Sequence, residues 1–210
     1  LEGFNKWAKA GLTAFLTHEY RDFTLPDSTD TGKRTSKHYK ENIVYVGGEL
    51  SKVQGRLLHY KVLGEVAISG EDAGQFRIEG NGDLNLRLLG DSVRLEANAY
   101  IKNLNPVFYY RHFHSKHYWW DNNNLSKTMR TRIEGKLNFK RLGTTLRAGV
   151  ENIKNYTYLA NTSIPIVNNE GTITSFKNNA AVCQYNKNIQ VFTAMLQQKF
   201  QFGIFHLDGE

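Results

Sequence analysis

One cysteine, Cys183, is all that the 210 residues contain. It excludes an intrachain disulfide framework and any zinc site built from several thiolates. Long apolar runs are missing as well. None approaches the roughly 18 residues that a membrane-crossing helix requires. No segment repeats its apolar residues at a helical spacing. The sequence has no G-x-S-x-G, no H-E-x-x-H and no phosphate-binding loop, and Cys183 has no base beside it. These absences argue against an enzyme and imply no cofactor. Position 1 is not Met and no signal pattern follows, which predicts that Leu1 is a processed or truncated start. Charge is plentiful and of both signs, with 27 Lys and Arg against 20 Asp and Glu. With 12 Phe, 11 Tyr and 3 Trp the chain is too aromatic for a disordered polar tail.

What the sequence does have is a period of two. In the stretch 75–88, Gln75, Arg77, Glu79, Asn81, Asp83, Asn85 and Arg87 are polar, and the residues between them are apolar or glycine. Side chains alternate faces along a strand, so this stretch has one greasy and one polar face. Similar alternation marks 8–21 (with Phe15 the exception), 58–69, 93–102, 128–139 and 146–151. Weaker strands are expected near 42–50 and 181–198, and another begins at Ile204. The fold expected is therefore all-β, with about eight to nine long antiparallel strands in a single domain over 1–210.

The connections alternate too. Segments 26–40, 103–124 and 160–179 are long; 51–55, 89–92, 141–144 and 199–203 are short; 71–74 breaks the rhythm by being tight. In an up-and-down sheet, every second connection lies at the same end, so long loops gather on one rim and short turns on the other. A soluble sandwich would also alternate. Three features favour a transmembrane barrel or a sector of one. The strands are long, the apolar face is rich in Ala and Gly, and aromatics gather at strand ends. Trp7 falls on the turn side; Tyr20, Phe23, Tyr118, Trp119, Trp120, Tyr156 and Tyr158 fall on the loop side.

On this reading the polar faces line the lumen. They carry Lys9, Lys61, Arg77, Arg87, Arg94, Lys102, Arg130, Arg132, Lys136 and Arg147 against Glu65, Glu79, Asp83, Glu96, Glu134 and Glu151, with Glu19 and Arg21 less certain. Bases outnumber acids, so a water-filled lumen would lean toward anions. Ladders of opposite charge are expected, for example around Arg87 and Arg94 with Glu96. His112, His114 and His117 form an H-x-H-x-x-H cluster that is a weak metal candidate, because Arg111 and Lys116 stand beside it. Interspersed acids also argue against nucleic acid as a partner.

The run from Asn105 through Pro106, Val107, Phe108, Tyr109, Tyr110, Arg111, His112, Phe113, His114, Ser115, Lys116, His117, Tyr118, Trp119, Trp120 and Asp121 to Asn122 resembles the large putative-porin family of Bacteroidetes. So do the segment 192–200 (FTAMLQQKF) and Gly203 with His206-Leu207-Asp208. The resemblance implies an internal stretch of a longer barrel in the bacterial outer membrane, since the chain ends in Asp208-Gly209-Glu210 without a terminal aromatic strand. It implies a channel for passive diffusion of small hydrophilic solutes. The alternative is a non-conducting structural barrel that docks a surface lipoprotein. Expected partners are membrane lipids, small polar solutes and other barrel subunits.

Overall fold

The computed structural model describes residues 10–28, 32–88, 90–177, 179–202 and 205–209. Nine strands form one antiparallel sheet, and each pairs with the next main-sheet strand along the chain. They are β1 (Gly11–Ser28), β2 (Arg34–Lys52), β3 (Leu58–Ser69), β4 (Phe76–Leu88), β5 (Asp91–Leu104), β8 (Thr128–Phe139), β9 (Thr144–Lys154), β14 (Ile189–Phe202) and β15 (Phe205–Gly209). Strands β1 and β15 are its edges, and the sheet does not close on itself among the described residues. This is a sector of an up-and-down barrel, as the alternation predicts. Lys9, Trp7 and Ile204, assigned from sequence to the pore lining, the aromatic rim and a strand start, lie outside the described residues.

Register explains why the alternation is so regular. Leu58, Leu84, Leu95, Leu137, Leu146 and Leu196 are mutual partners across six strands, so one row of leucines crosses the sheet. Beside it runs a row of small residues: Gly82, Ala97, Gly135, Ala148 and Ala194. A shift of one residue in β4, β5, β8 or β9 can send Asp83, Arg94, Glu96, Lys136 or Arg147 into these rows, so burial of this face against hydrocarbon fixes the pairing. Nothing among the described residues covers the face. Leu16 is 71% exposed, Ile133 63% and Phe192 77%.

The connections depart from expectation in one consistent way. The segment 26–40, expected as a loop, is mostly hairpin: β1 runs to Ser28 and β2 starts at Arg34. Beyond Val44↔Ser69, β2 has outrun β3 and pairs with β1 alone. Segment 103–124 contains a helical turn α1 (Phe108–Arg111) and a hairpin of β6 (His112–His114) with β7 (Trp119–Asp121). Segment 181–198 splits into β13 (Ala180–Tyr185), paired with β10 (Tyr156–Asn161), and the main-sheet strand β14. A further hairpin, β11 (Ile164–Val167) with β12 (Ile173–Lys177), occupies 160–179. Outside a bilayer both faces of a ribbon meet water, so backbone pairing persists while the hydropathy pattern that advertises it disappears.

The tight β3–β4 connection depends on Gly70. Its φ is +89°, and a Cβ there would lie 1.9 Å from the Asn42 carbonyl oxygen. Only glycine lets this turn close against β2.

The two faces are expected to respond differently to the same substitution. Ile133→Arg, in the middle of the apolar face, should cost about 2–4 kcal/mol in reversible unfolding from lipid vesicles. Asn81→Arg, on the opposite face of β4, should be nearly neutral. Equal costs would show that the apolar face does not meet hydrocarbon.

Candidate functional site

On the polar face the charges are held in ion pairs. Lys61 Nζ lies 2.9 Å from Glu49, Arg77 Nε 2.7 Å from Glu65, and Lys102 Nζ 2.8 Å from Glu79. Arg94 reaches Glu96 at 3.2 Å and Asp83 at 3.6 Å, and Lys136 shares Glu96 at 3.4 Å. Arg130 contacts Glu151 at 2.6 Å, which also accepts from the Tyr100 hydroxyl at 2.8 Å. Arg147 and Arg132 converge on Glu134. Most of these pairs join neighbouring strands, as cross-strand neighbours on one face must. The ladder expected around Arg94 and Glu96 is present. Arg87 stands outside it.

Toward the long-loop end, the same face of the β1–β2 hairpin receives the aromatic-histidine loop. The unbroken β1–β2 register puts Arg21, Phe23, Tyr39, Glu41 and Tyr45 on the side of Glu49. Phe108 of α1 stacks on Phe23 with centroids 3.7 Å apart, and Tyr39 meets it edge-on. Arg111 is buried and places one nitrogen 2.7 Å from Glu41 and another 3.1 Å from Glu71. Its Nε–H donates to the Pro106 carbonyl. Behind it, Arg21 binds Asp72 at 2.9 Å, and Asp72 accepts from Tyr45 and Asn105. Arg21 Nε–H also donates to Glu19 at 2.7 Å. Asp72, 3% exposed, comes from the tight turn that Gly70 makes possible.

Asp121 ties down the β6–β7 hairpin. Its carboxylate lies 2.7 Å from His112 Nδ1 and 3.0 Å from His114 Nε2, and accepts from the Tyr39 hydroxyl at 2.9 Å. Burial opposes its ionisation, but the bonds from His112, Tyr39 and His114 outweigh this and hold the carboxyl down at about 2. Burial likewise pushes the Tyr39 phenol up. His114 donates from Nδ1 to the Pro26 carbonyl, so both its nitrogens already face protein oxygens. Of the three histidines read as a weak metal candidate, the fold joins His112 and His114 and leaves His117 apart. Among the described residues no group of three metal donors is arranged to hold an ion.

Several aromatics expected at the membrane rim serve this loop instead. Phe23 points to the polar side, Trp119 stacks on His114 at 3.8 Å, and Trp120 stacks on Phe113 at 4.9 Å. Tyr20 remains exposed on the apolar side, and Tyr156 and Tyr158 are exposed on β10. Sequence reasoning missed Glu41, Asp72, Tyr39 and Asp121 as partners. Each lies in a segment without alternation, and only the fold brings it to its basic or histidine partner.

The model of the family described as putative porin matches residues 1–210, the entire sequence, and the chain belongs to that family. Together with the nine-stranded sheet, this defines a porin-like β-barrel chain, of a kind associated with the outer membrane. Comparison with curated proteins and with solved structures found no match.

Two measurements test how the loop is held. Arg111→Ala removes one of the two guanidinium groups that hold buried Glu41, leaving Arg21 at 3.3 Å, and should destabilise the docked loop by about 1.5–3 kcal/mol. Limited proteolysis within 107–121 should accelerate accordingly, while the main sheet stays protected. Asp121 has a lowered value when folded, so its contribution is complete above about pH 4 and is lost as pH falls through about 2. In a W7F/W120F background, Trp119 fluorescence should hold steady to about pH 4 and change between there and pH 2. A transition near pH 6 would show that Asp121 is not the anchor.

Proposed function

We propose that this chain lines a water-filled outer-membrane pore through which small hydrophilic solutes diffuse passively, with no chemical step and a mild preference for anions. The observation that carries this reading is the contrast between the two faces. One is an uncovered apolar surface and the other a continuous lattice of charges. A soluble sandwich would bury the leucine row under a second layer. A lattice of both signs keeps water and ions solvated along a lumen while limiting any single-sign field. Because acids stand beside most bases, the anion preference is small.

The docked loop supports a second reading, a non-conducting structural barrel whose loops bind a surface lipoprotein or another partner. The loop covers the polar face near the long-loop rim and is held there by buried charges. On the pore reading the same loop narrows the entrance.

Planar-bilayer recording of the complete protein separates the two. A pore gives steady conductance, a reversal potential displaced toward anions under a KCl gradient, and a displacement that shrinks as the Debye length falls to about 3 Å at 1 M salt. Arg111→Ala should raise conductance by freeing the entrance. Silent barrels, both as wild type and as Arg111→Ala, would favour the structural reading.

A further inference from the structure

The positive excess of the polar face is not spread along it. Lys61, Arg77, Lys102, Lys136, Arg130, Arg132 and Arg147 each contact a carboxylate. Three bases near the β4–β5 turn stand outside this pairing. Arg87 in β4, Arg56 in the β2–β3 turn and Lys140 after β8 make no ion pair among the described residues. They line a single notch of about 550 Å³ with Arg94, Ser92 and Asn85.

The fold assembles the notch from separate segments. Arg87 is paired in register with Ser92, and Asn85 with Arg94. The backbone N–H of Lys140 donates to the Ser92 carbonyl, which sets β8 beside β5 at that level. Arg87 on β4, Ser92 on β5 and Lys140 just past the end of β8 therefore stand side by side, within about 10 Å along the backbone. Asn85 fixes the overhanging turn, because its backbone N–H donates to the Leu57 carbonyl and its side-chain amide to that of Arg56. Arg94 gives part of its charge to Asp83 and Glu96. No acid answers the other three among the described residues.

We infer that this notch binds a phosphate group, with Arg56, Arg87 and Lys140 supplying its charge and Arg94 and Ser92 further donors. Guanidinium forks match the oxygens of a phosphate in pairs, and the Lys140 ammonium adds a compact charge. Like-charged side chains held this close repel one another, and a multivalent oxyanion removes that repulsion. Arg87, Arg94 and Lys140 share the polar parity of their strands, opposite the leucine row, which favours phosphate arriving from solution over a lipid headgroup. The site goes beyond the pore reading, since equilibrium binding needs no conduction.

The test is calorimetric titration of the complete protein, in non-ionic detergent at low salt, with inorganic pyrophosphate. Binding should weaken steeply with added salt. R87E/K140E should lose about tenfold or more in affinity, consistent with charge-assisted bonds. R87Q/K140Q should show a smaller loss and guards against misfolding of the reversal variant. K177E/K187E makes the same change in net charge on the long 155–188 extension and should bind as wild type. If pyrophosphate does not bind, but phosphatidylglycerol vesicles retain wild type more strongly than R87E/K140E and phosphatidylcholine vesicles do not discriminate, the phosphate belongs to lipid. Binding unaffected by R87E/K140E, or no binding to either source, overturns the proposal. Silent bilayers with intact pyrophosphate binding would reject the pore and leave this site standing.

Discussion

A strand that meets hydrocarbon on one face and water on the other must alternate with period two, because its backbone sends successive side chains to opposite faces. The rest of this architecture follows from that constraint. It places six leucines in one transverse row and the carboxylates and guanidinium groups on the other side. It also dictates how the charges pair. With neighbouring strands about 4.8 Å apart, a base on one strand finds its acid on the next. Arg77 with Glu65 and Lys102 with Glu79 are held this way, each pair spanning two adjacent strands. Partly exposed pairs of this kind add little to stability. Their consequence lies in the field along the sheet, which they flatten wherever a base stands beside its acid.

The aromatic-histidine loop is held by different physics. Arg111 and Glu41 are both buried, so each has lost its hydration and depends on ion pairs, with each other and with Glu71 and Arg21 beside them. Such a pair contributes more to choosing one arrangement than to stability overall. Here it selects the loop position in which Phe108 covers Phe23 and Tyr39, with the β6–β7 hairpin fastened through Asp121. The site is a polar network under an aromatic cover, in which Arg21 and Arg111 share Glu41 and each holds a further carboxylate. On the pore reading, an entrance bounded by such a loop has a defined width, which a freely moving loop would not provide.

What the sequence could convey was set by where the membrane is. Within the bilayer, water on one side and lipid on the other write the strand directly into the residue pattern. The strands that alternate cleanly, over 8–21, 58–69, 75–88, 93–102, 128–139 and 146–151, and the common polar face of Arg77, Glu79, Asp83, Arg94, Glu96, Arg130, Arg132, Glu134 and Arg147 were therefore legible, whereas 42–50 and 181–198 showed the pattern only weakly. Outside the bilayer the pattern vanishes. Segments 26–40 and 160–179 read as loops although both are largely paired as hairpins. Aromatics near strand ends read as a membrane belt, yet Phe23, Trp119 and Trp120 are spent on loop packing.

The sequence by itself determined the period, hence the strand class, the two faces and the presence of charge of both signs on one of them. It also carried the family resemblance in the 105–122 segment. Only the tertiary structure decided which charges meet. Asp72 reaches Arg21 across 51 positions and Glu41 reaches Arg111 across 70, and nothing local in either segment announces the partner. Likewise Arg77 and Arg87 look equivalent on one strand, but Glu65 stands opposite the first and Ser92 opposite the second. Alternation fixes the face on which a side chain stands. Register across strands fixes its neighbours, and these decide whether a charge is neutralised or left to bind something else.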